Sequence, residues 1–118
     1  MIDRAFAEHF AKEWIETWNA HDLDAILRHY ADGIVFRSPR IALVMGEPVA
    51  FVTGKPALAR YWGKALSIAK DLHITFDRLY VGSDSLTIAY RNHRAQSASE
   101  TFVFDAQGLV VESIATYE

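Results

Sequence analysis

An aromatic residue stands at every fourth position near the start of the chain, and this spacing constrains the fold more than any other feature. On an α-helix, successive positions four residues apart drift around the axis by only about 40°. Phe6, Phe10, Trp14 and Trp18 therefore predict one helix with an aromatic stripe. Charged residues occupy the opposite face, so we expect the rings to pack against another layer of the protein.

A second helix, a strand and a third helix are predicted next. Asp22 can cap the second helix, and Ile34 to Phe36 form a β-rich run that Pro39 stops. The third helix opens at Gly54, with a proline in its first turn, and should run to about Lys70. The apolar positions of the second helix repeat at helical spacing: Leu23, Ile26, Leu27 and Tyr30.

The segment between the strand and the third helix has a less regular pattern. Arg40 to Thr53 is mostly apolar but contains Gly46 and Pro48, both of which interrupt regular structure. We therefore predict a long loop or a bent hairpin, which could serve as a lid.

From Leu72 onward the pattern changes to β-strands of suitable length separated by turn residues. The turns fall at residues 82–84, 95–97 and 105–108. This spacing predicts four antiparallel strands in a meander. Helices first and an antiparallel sheet afterwards is the order of an α+β fold. We expect a cone-shaped, curved antiparallel or mixed sheet packed against three helices from the N-terminal half, in a single domain spanning residues 1–118.

Composition excludes several classes of function. The net charge is -3 and basic residues do not cluster, so we expect no binding to nucleic acid. The absence of cysteine excludes disulfides and thiolate chemistry, and it agrees with a cytoplasmic location. Charged residues interrupt the apolar positions of residues 1–20, which are therefore predicted to be neither a signal peptide nor a membrane anchor.

Several short motifs occur in a specific order along nearly the whole chain. They are Trp18 to Asp24, Ser38-Pro39, the Gly46-Glu47 loop, Gly54 to Trp62, Tyr90-Arg91-Asn92, Glu100, and Phe102 to Gly108 with Val110-Val111. Together they resemble the nuclear transport factor 2-like superfamily, and within it the SnoaL-like branch, which is related to ketosteroid isomerases and includes bacterial proteins with no assigned activity. The resemblance implies a cone-shaped fold, a homodimer formed through the outer sheet face, and a hydrophobic small molecule held inside the cone.

The same resemblance argues against steroid isomerisation. In the isomerases, an aspartate before the proline moves the proton, a tyrosine on the first helix donates to the substrate oxygen, and a protonated aspartate helps to hold the oxyanion. The corresponding residues here are Ser38, Trp14 and Glu100. Serine is not a base near pH 7, and an indole donates a hydrogen bond but is not an acid. Only the role of Glu100 is retained.

Glu100 is the candidate catalytic residue. It shares strand parity with Phe102 and Phe104, so a face that points into the cone would place its carboxyl group among aromatic rings. Burial there would raise its pKa and suit it to act as a general acid or a neutral hydrogen-bond donor. The alternative is a solvated or ion-paired glutamate on the outer face.

The candidate ligand-binding residues are mainly aromatic. Rings that line the cavity would stack on a flat apolar ligand while tyrosine hydroxyls orient it, although plain core packing is the alternative for these residues. Ser38 is a candidate polar contact, with a structural role in the turn before Pro39 as its alternative. The full set is Trp14, Trp18, Tyr30, Ser38, Trp62, Tyr90, Phe102 and Tyr117.

No cofactor or metal is expected. The five histidines include no i, i+4 pair and stand in no recognisable ligand motif. The chain also lacks a phosphate loop, a dinucleotide fingerprint and a nucleophile elbow. Three functions stay open: a small-molecule binding protein that could act as an isomerase, cyclase or lyase through Glu100, a dimeric protein-interaction module, and a dimeric scaffold without chemistry.

Overall fold

Four helices and one curved, six-stranded sheet make up the computed structural model, which describes residues 1–118. The helices are α1 (Arg4–Asn19), α2 (Leu23–Leu27), α3 (Arg40–Met45) and α4 (Lys55–Ile68). The strands are β1 (Tyr30–Arg37), β2 (Phe51–Thr53), β3 (Thr75–Val81), β4 (Ser85–Arg91), β5 (Ser97–Phe104) and β6 (Val110–Tyr117). The predicted α+β class is confirmed.

The sheet is mixed, with the strand order β2-β1-β6-β5-β4-β3. Strands β3 to β6 form the predicted antiparallel meander, because each is hydrogen-bonded to the next along the chain. Strand β1 joins this meander by pairing parallel to β6, and β2 pairs antiparallel to β1 at the sheet edge. The parallel β1–β6 pair therefore brings the N-terminal half of the chain onto the meander.

The core lies between the helices and one face of this sheet. Side chains alternate across a strand, and the buried positions of β4 and β5 follow that period of two. The register places Glu100 of β5 between Ile88 of β4 and Ala115 of β6, all three of which are buried. Glu100 therefore belongs to the face that the helices cover.

The aromatic stripe of α1 forms one side of this core. Phe10, Trp14 and Trp18 are buried, whereas Phe6 near the helix start is 37% exposed. The end of α1 is fixed by Asn19, whose side chain both donates to the Ile74 carbonyl at 2.9 Å and accepts from the Ile74 amide at 2.8 Å. This pair of bonds joins α1 to the start of the meander.

Two local predictions are wrong. Tyr30 is not part of the second helix: α2 ends at Leu27, and Tyr30 begins β1, where it pairs with Val110 of β6. Segment 40–53 is not a loop, because it forms α3 and then β2, which raises the number of helices from three to four. Gly46 ends α3 in the left-handed conformation, with φ 71°, and so acts as a helix terminator.

None of these helices combines the length and the apolar character needed to cross a membrane.

Candidate functional site

A cavity of about 240 Å³ opens between α1, α3, α4 and the covered face of the sheet. Its deep wall is formed by buried side chains, and half-buried or exposed residues such as Ile68, His93 and Arg94 form its rim. The buried lining residues are Trp14, Trp18, Phe36, Tyr61, Trp62, Ile74, Tyr90 and Glu100. The cavity is thus an apolar, aromatic space that contains one buried carboxyl group.

Glu100 is the carboxyl group in that wall, and only 4% of the residue is exposed. The Ser113 hydroxyl donates a hydrogen bond of 2.7 Å to Glu100 Oε2. Burial raises the pKa of Glu100 to about 7, although hydrogen bonding from Ser113 and from the Tyr30 hydroxyl favours the charged form and limits this rise. Near neutral pH the group is therefore able both to give and to accept a proton.

Tyr30 connects this carboxyl group to α1. Its hydroxyl accepts a 3.1 Å hydrogen bond from the Trp14 indole Nε1. Burial and the nearby Glu100 charge raise the pKa of Tyr30 well above its ordinary value. Trp14 thus orients a tyrosine that in turn supports the carboxyl group.

Three further tyrosines surround the polar part of the cavity. Burial raises the pKa of Tyr61 to about 12, and it also raises the pKa values of Tyr90 and Tyr117. The Glu100 charge adds to the rise in all three pKa values, and all three tyrosines line the same cavity as Glu100. These tyrosines stay neutral and serve as hydrogen-bond donors and acceptors.

The apolar wall is a continuous set of edge-to-face aromatic contacts. Trp18 meets Trp62 with a centroid distance of 5.1 Å, and Trp62 meets Phe36 at 5.3 Å. Trp14 meets Tyr90 at 5.6 Å on the sheet side. Edge-to-face pairs hold rings in fixed orientations, so the wall has a defined shape before any ligand arrives.

The structure brings together six of the nine residues proposed from the sequence. Those that line the cavity are Trp14, Trp18, Trp62, Tyr90, Glu100 and Tyr117. Tyr30, Ser38 and Phe102 are buried and are not among the lining residues, so direct contact of these three with a ligand stays a prediction. The Tyr30 ring packs against Trp62 with a centroid distance of 5.1 Å, and the Phe102 ring packs against Trp14 at 5.2 Å.

Ser38 makes a contact of the kind that its alternative, structural interpretation predicts. Its hydroxyl oxygen accepts a 3.2 Å hydrogen bond from the Arg40 amide at the start of α3. Its hydrogen bonding also lowers the otherwise raised pKa values of Tyr61 and Tyr117. Ser38 therefore positions the residues of the site from behind.

Arg40 and Tyr61 are the main site residues that sequence reasoning missed. Arg40 fell in the segment assigned to a loop, but α3 places its guanidinium 4.0 Å from the centroid of the Tyr117 ring. Tyr61 precedes Trp62 on α4, and both side chains face inward. The inward pattern of α4 could have identified Tyr61, whereas no local signal marks Arg40.

A larger surface groove, of about 710 Å³, lies between α1 and β3. Charged side chains from both elements line it: Arg4, Glu8, Lys12, Glu16, Asp77 and Arg78. No buried titratable group faces this groove, so the smaller cavity is the better candidate for chemistry. Nowhere in the chain do three His, Asp or Glu side chains come together as a metal site would require.

Comparison with known proteins identifies relatives of this fold. Residues 11–117 match the model of the SnoaL-like domain. A SnoaL-like protein of unknown function from Burkholderia thailandensis is 44% identical, with a TM-score of 0.93 over 99% of this chain and 98% of that one. The chain matches no protein of curated function.

More distant structures share the fold. A putative polyketide cyclase from Sinorhizobium meliloti is 15% identical, with a TM-score of 0.72 over 88% of this chain and 90% of that one. A second structure is that of an epoxide hydrolase/cyclase-like enzyme with a role in pyran ring formation in the polyether salinomycin. It is 16% identical, with a TM-score of 0.76 over 100% of this chain and 95% of that one. At these identities the likeness concerns the fold alone.

Proposed function

Because the chain belongs to the SnoaL-like domain family, we propose that it binds a small, largely apolar, ring-containing molecule in the cavity and acts on it through Glu100. The observation that carries this proposal is the buried carboxyl group of Glu100 in an aromatic cavity that is open to solvent. A buried carboxyl group with a pKa raised to about 7 lowers the stability of the folded protein at alkaline pH, and groups perturbed in this way cluster at functional sites.

The size of the cavity limits the ligand to one or two rings. Drug-sized ligands occupy pockets of about 300–1,000 Å³, and a dry cavity of about 150 Å³ holds one benzene. At about 240 Å³, the space exceeds the need of a single ring but is below the range for larger ligands. A four-ring steroid therefore does not fit without a change in structure.

The reaction class that suits this site is proton transfer to or from the ligand. In its neutral form, Glu100 can donate to a carbonyl or ether oxygen, and in its charged form it can accept a proton from carbon. Isomerases, cyclases and lyases all use such steps. Two distant relatives are named for ring-forming functions, one as a putative polyketide cyclase and one as an enzyme with a role in pyran ring formation.

A bicyclic ketone, 1-tetralone, tests the binding step. All three tryptophans of the chain line the cavity, so their fluorescence should report occupancy directly. We expect the affinity to fall about tenfold as the pH rises through 7, because an ionised Glu100 no longer donates to the ketone oxygen. Glu100→Gln should bind with an affinity that is independent of pH, and Glu47→Gln, which alters an exposed glutamate in the turn after α3, should behave as wild type.

No change in fluorescence at saturating ketone would contradict the binding proposal, whereas an affinity that does not respond to pH in the wild type would contradict the role of Glu100 in it. Hydrogen–deuterium exchange at the α-carbon of the ketone, followed by NMR, tests the reaction separately. We expect exchange with wild type and none with Glu100→Gln. Binding without exchange would restrict the protein to ligand binding.

A protein-interaction module is the alternative function. It predicts a cone filled by its own side chains, and the open cavity therefore favours the small-molecule proposal. The homodimer expected from the resemblance is compatible with both functions, and we propose that it forms through the outer face of the sheet. Light scattering coupled to size-exclusion chromatography measures it directly.

A further inference from the structure

The charged residues of the cavity are unevenly distributed. Glu100 is the only acidic residue in the lining, whereas Arg40, His93 and Arg94 lie toward the rim. His93 has an acidic neighbour, Asp71, with a distance of 3.5 Å from Nε2 to Oδ1. Arg40 and Arg94 have no carboxylate oxygen within 4.0 Å, so positive charge predominates at the entrance.

Arg40 is held in a fixed position. Its Nη2 donates a 2.6 Å hydrogen bond to Oε1 of Gln96, which also accepts a 3.0 Å bond from the Asn92 side chain. The guanidinium lies over the Tyr117 ring, 4.0 Å from its centroid. A guanidinium carries five N–H donors, so most of its donors remain available to a ligand.

Glu100 does not neutralise Arg40, although both line the same cavity. No Arg40 nitrogen lies within 4.0 Å of a Glu100 carboxylate oxygen. Arg40 lies over the Tyr117 ring, and Tyr117 pairs with Ala98, two residues before Glu100 along β5, so the two charged groups occupy different parts of the cavity. A ligand that fills the cavity would contact both.

From this arrangement we propose that the ligand is a carboxylic acid, whose carboxylate binds Arg40 at the rim while its ring system extends toward Glu100. The inference rests on the function proposed above and specifies its substrate class. A planar guanidinium matches the two oxygens of a carboxylate, and charge-assisted bonds of this kind are roughly twice as strong as neutral ones. A small acid with one or two rings satisfies both ends of the site.

The test compares 2-naphthoate with 2-naphthamide, two bicyclic compounds that have nearly the same shape but differ in charge. Binding is measured by tryptophan fluorescence and calorimetry at pH 7 and low salt. We expect wild type to bind the carboxylate at least about tenfold more tightly than the amide, and added salt to reduce this preference. Arg40→Gln should remove the preference and leave the affinity for the amide within about twofold.

Arg37→Gln is the matched control. Arg37 is an exposed arginine at the end of β1 that lies over Phe51 and does not line the cavity, so its loss should leave the preference intact. Arg40→Lys keeps the charge but not the planar donor pair, and it should retain part of the preference. This variant and the salt titration of wild type keep the test valid if Arg40→Gln folds poorly.

The outcomes separate this inference from the proposed function. Equal affinity of wild type for the two compounds, or a preference that persists in Arg40→Gln, would refute the carboxylate inference while leaving ring binding intact. If neither compound binds, both the inference and the proposed function are refuted. A preference that Arg40→Gln removes, Arg40→Lys reduces and Arg37→Gln leaves intact supports both.

Discussion

Replacing Glu100 with glutamine should make the protein more stable at alkaline pH. Burial raises the pKa of Glu100 from 4.5 to about 7, a change that corresponds to about 3 kcal/mol of folding free energy once the group is ionised in both states. Below pH 4.5 the carboxyl group is neutral in the folded and the unfolded chain, and it contributes no such cost. Between pH 4.5 and 7, the Glu100 carboxyl group ionises in the unfolded chain before it does so in the folded one. Its contribution to the stability of the wild type therefore falls as the pH rises.

Glutamine keeps the shape of the side chain but does not ionise, so the variant avoids this cost. It also loses the charge-assisted bond from Ser113 Oγ, which offsets part of the gain. We therefore expect Glu100→Gln to exceed wild type by about 1–3 kcal/mol at pH 8.5 and to differ little from it at pH 4.5. A gain of 2 kcal/mol would raise Tm by roughly 6–10 °C at this chain length.

Urea denaturation at several pH values between 4.5 and 8.5 measures this difference. The comparison must be between variant and wild type, because His29 acts in the opposite direction: burial lowers its pKa, and so it favours folding as the pH rises. Subtracting the two curves removes the His29 contribution. Glu47→Gln, in the exposed turn after α3, is the control and should follow wild type across the pH range.

Either of two results would refute this reasoning. A constant difference between variant and wild type across the pH range would show that Glu100 does not titrate there. If the stability of Glu100→Gln relative to wild type were lower at pH 8.5 than at pH 4.5, the fold would stabilise the charged form of Glu100.

Two further substitutions test the surroundings of the site. Ser113→Ala should raise the pKa of Glu100 above about 7, because it removes the 2.7 Å hydrogen bond that favours the charged form. The substitution should lower the free energy of unfolding by about 1–3 kcal/mol at alkaline pH. The midpoint of the pH–stability curve measures the shift in pKa, and an unchanged midpoint would contradict it. Asn19→Ala should lower the free energy of unfolding by about 2–3 kcal/mol at all pH values, because it leaves the backbone amide and carbonyl of Ile74 without a partner. Chemical denaturation measures the loss. A loss below about 0.5 kcal/mol would mean that water replaces both hydrogen bonds.

Hydrophobic spacing predicted the regular elements of the fold because each of these elements is specified by residues close to it along the chain. The stripe of α1 needs only a helical period, and the meander from β3 to β6 needs only strands and turns in succession. The parity of Glu100 with Phe102 on β5 predicted the inner face for the same reason. A period of two fixes which side chains share a face.

Prediction failed where contacts distant in the sequence decide the local structure. Tyr30 continues a helical pattern, but its pairing with Val110, 80 residues later, places it in a strand. Segment 40–53 has no strong period, and its strand β2 exists because β1 offers it an edge. Local preferences were too weak in both places to compete with tertiary contacts.

For the site, strand parity alone predicts that the Glu100 carboxyl group shares one face of β5 with aromatic rings. The packing of the elements makes this the covered face, gives Glu100 Ser113 and Tyr30 as neighbours, leaves Ser38 out of the cavity lining and brings Arg40 into it. Periodicity records which face a residue occupies. Burial, and the distance between charges on different elements, arise only when those elements pack together.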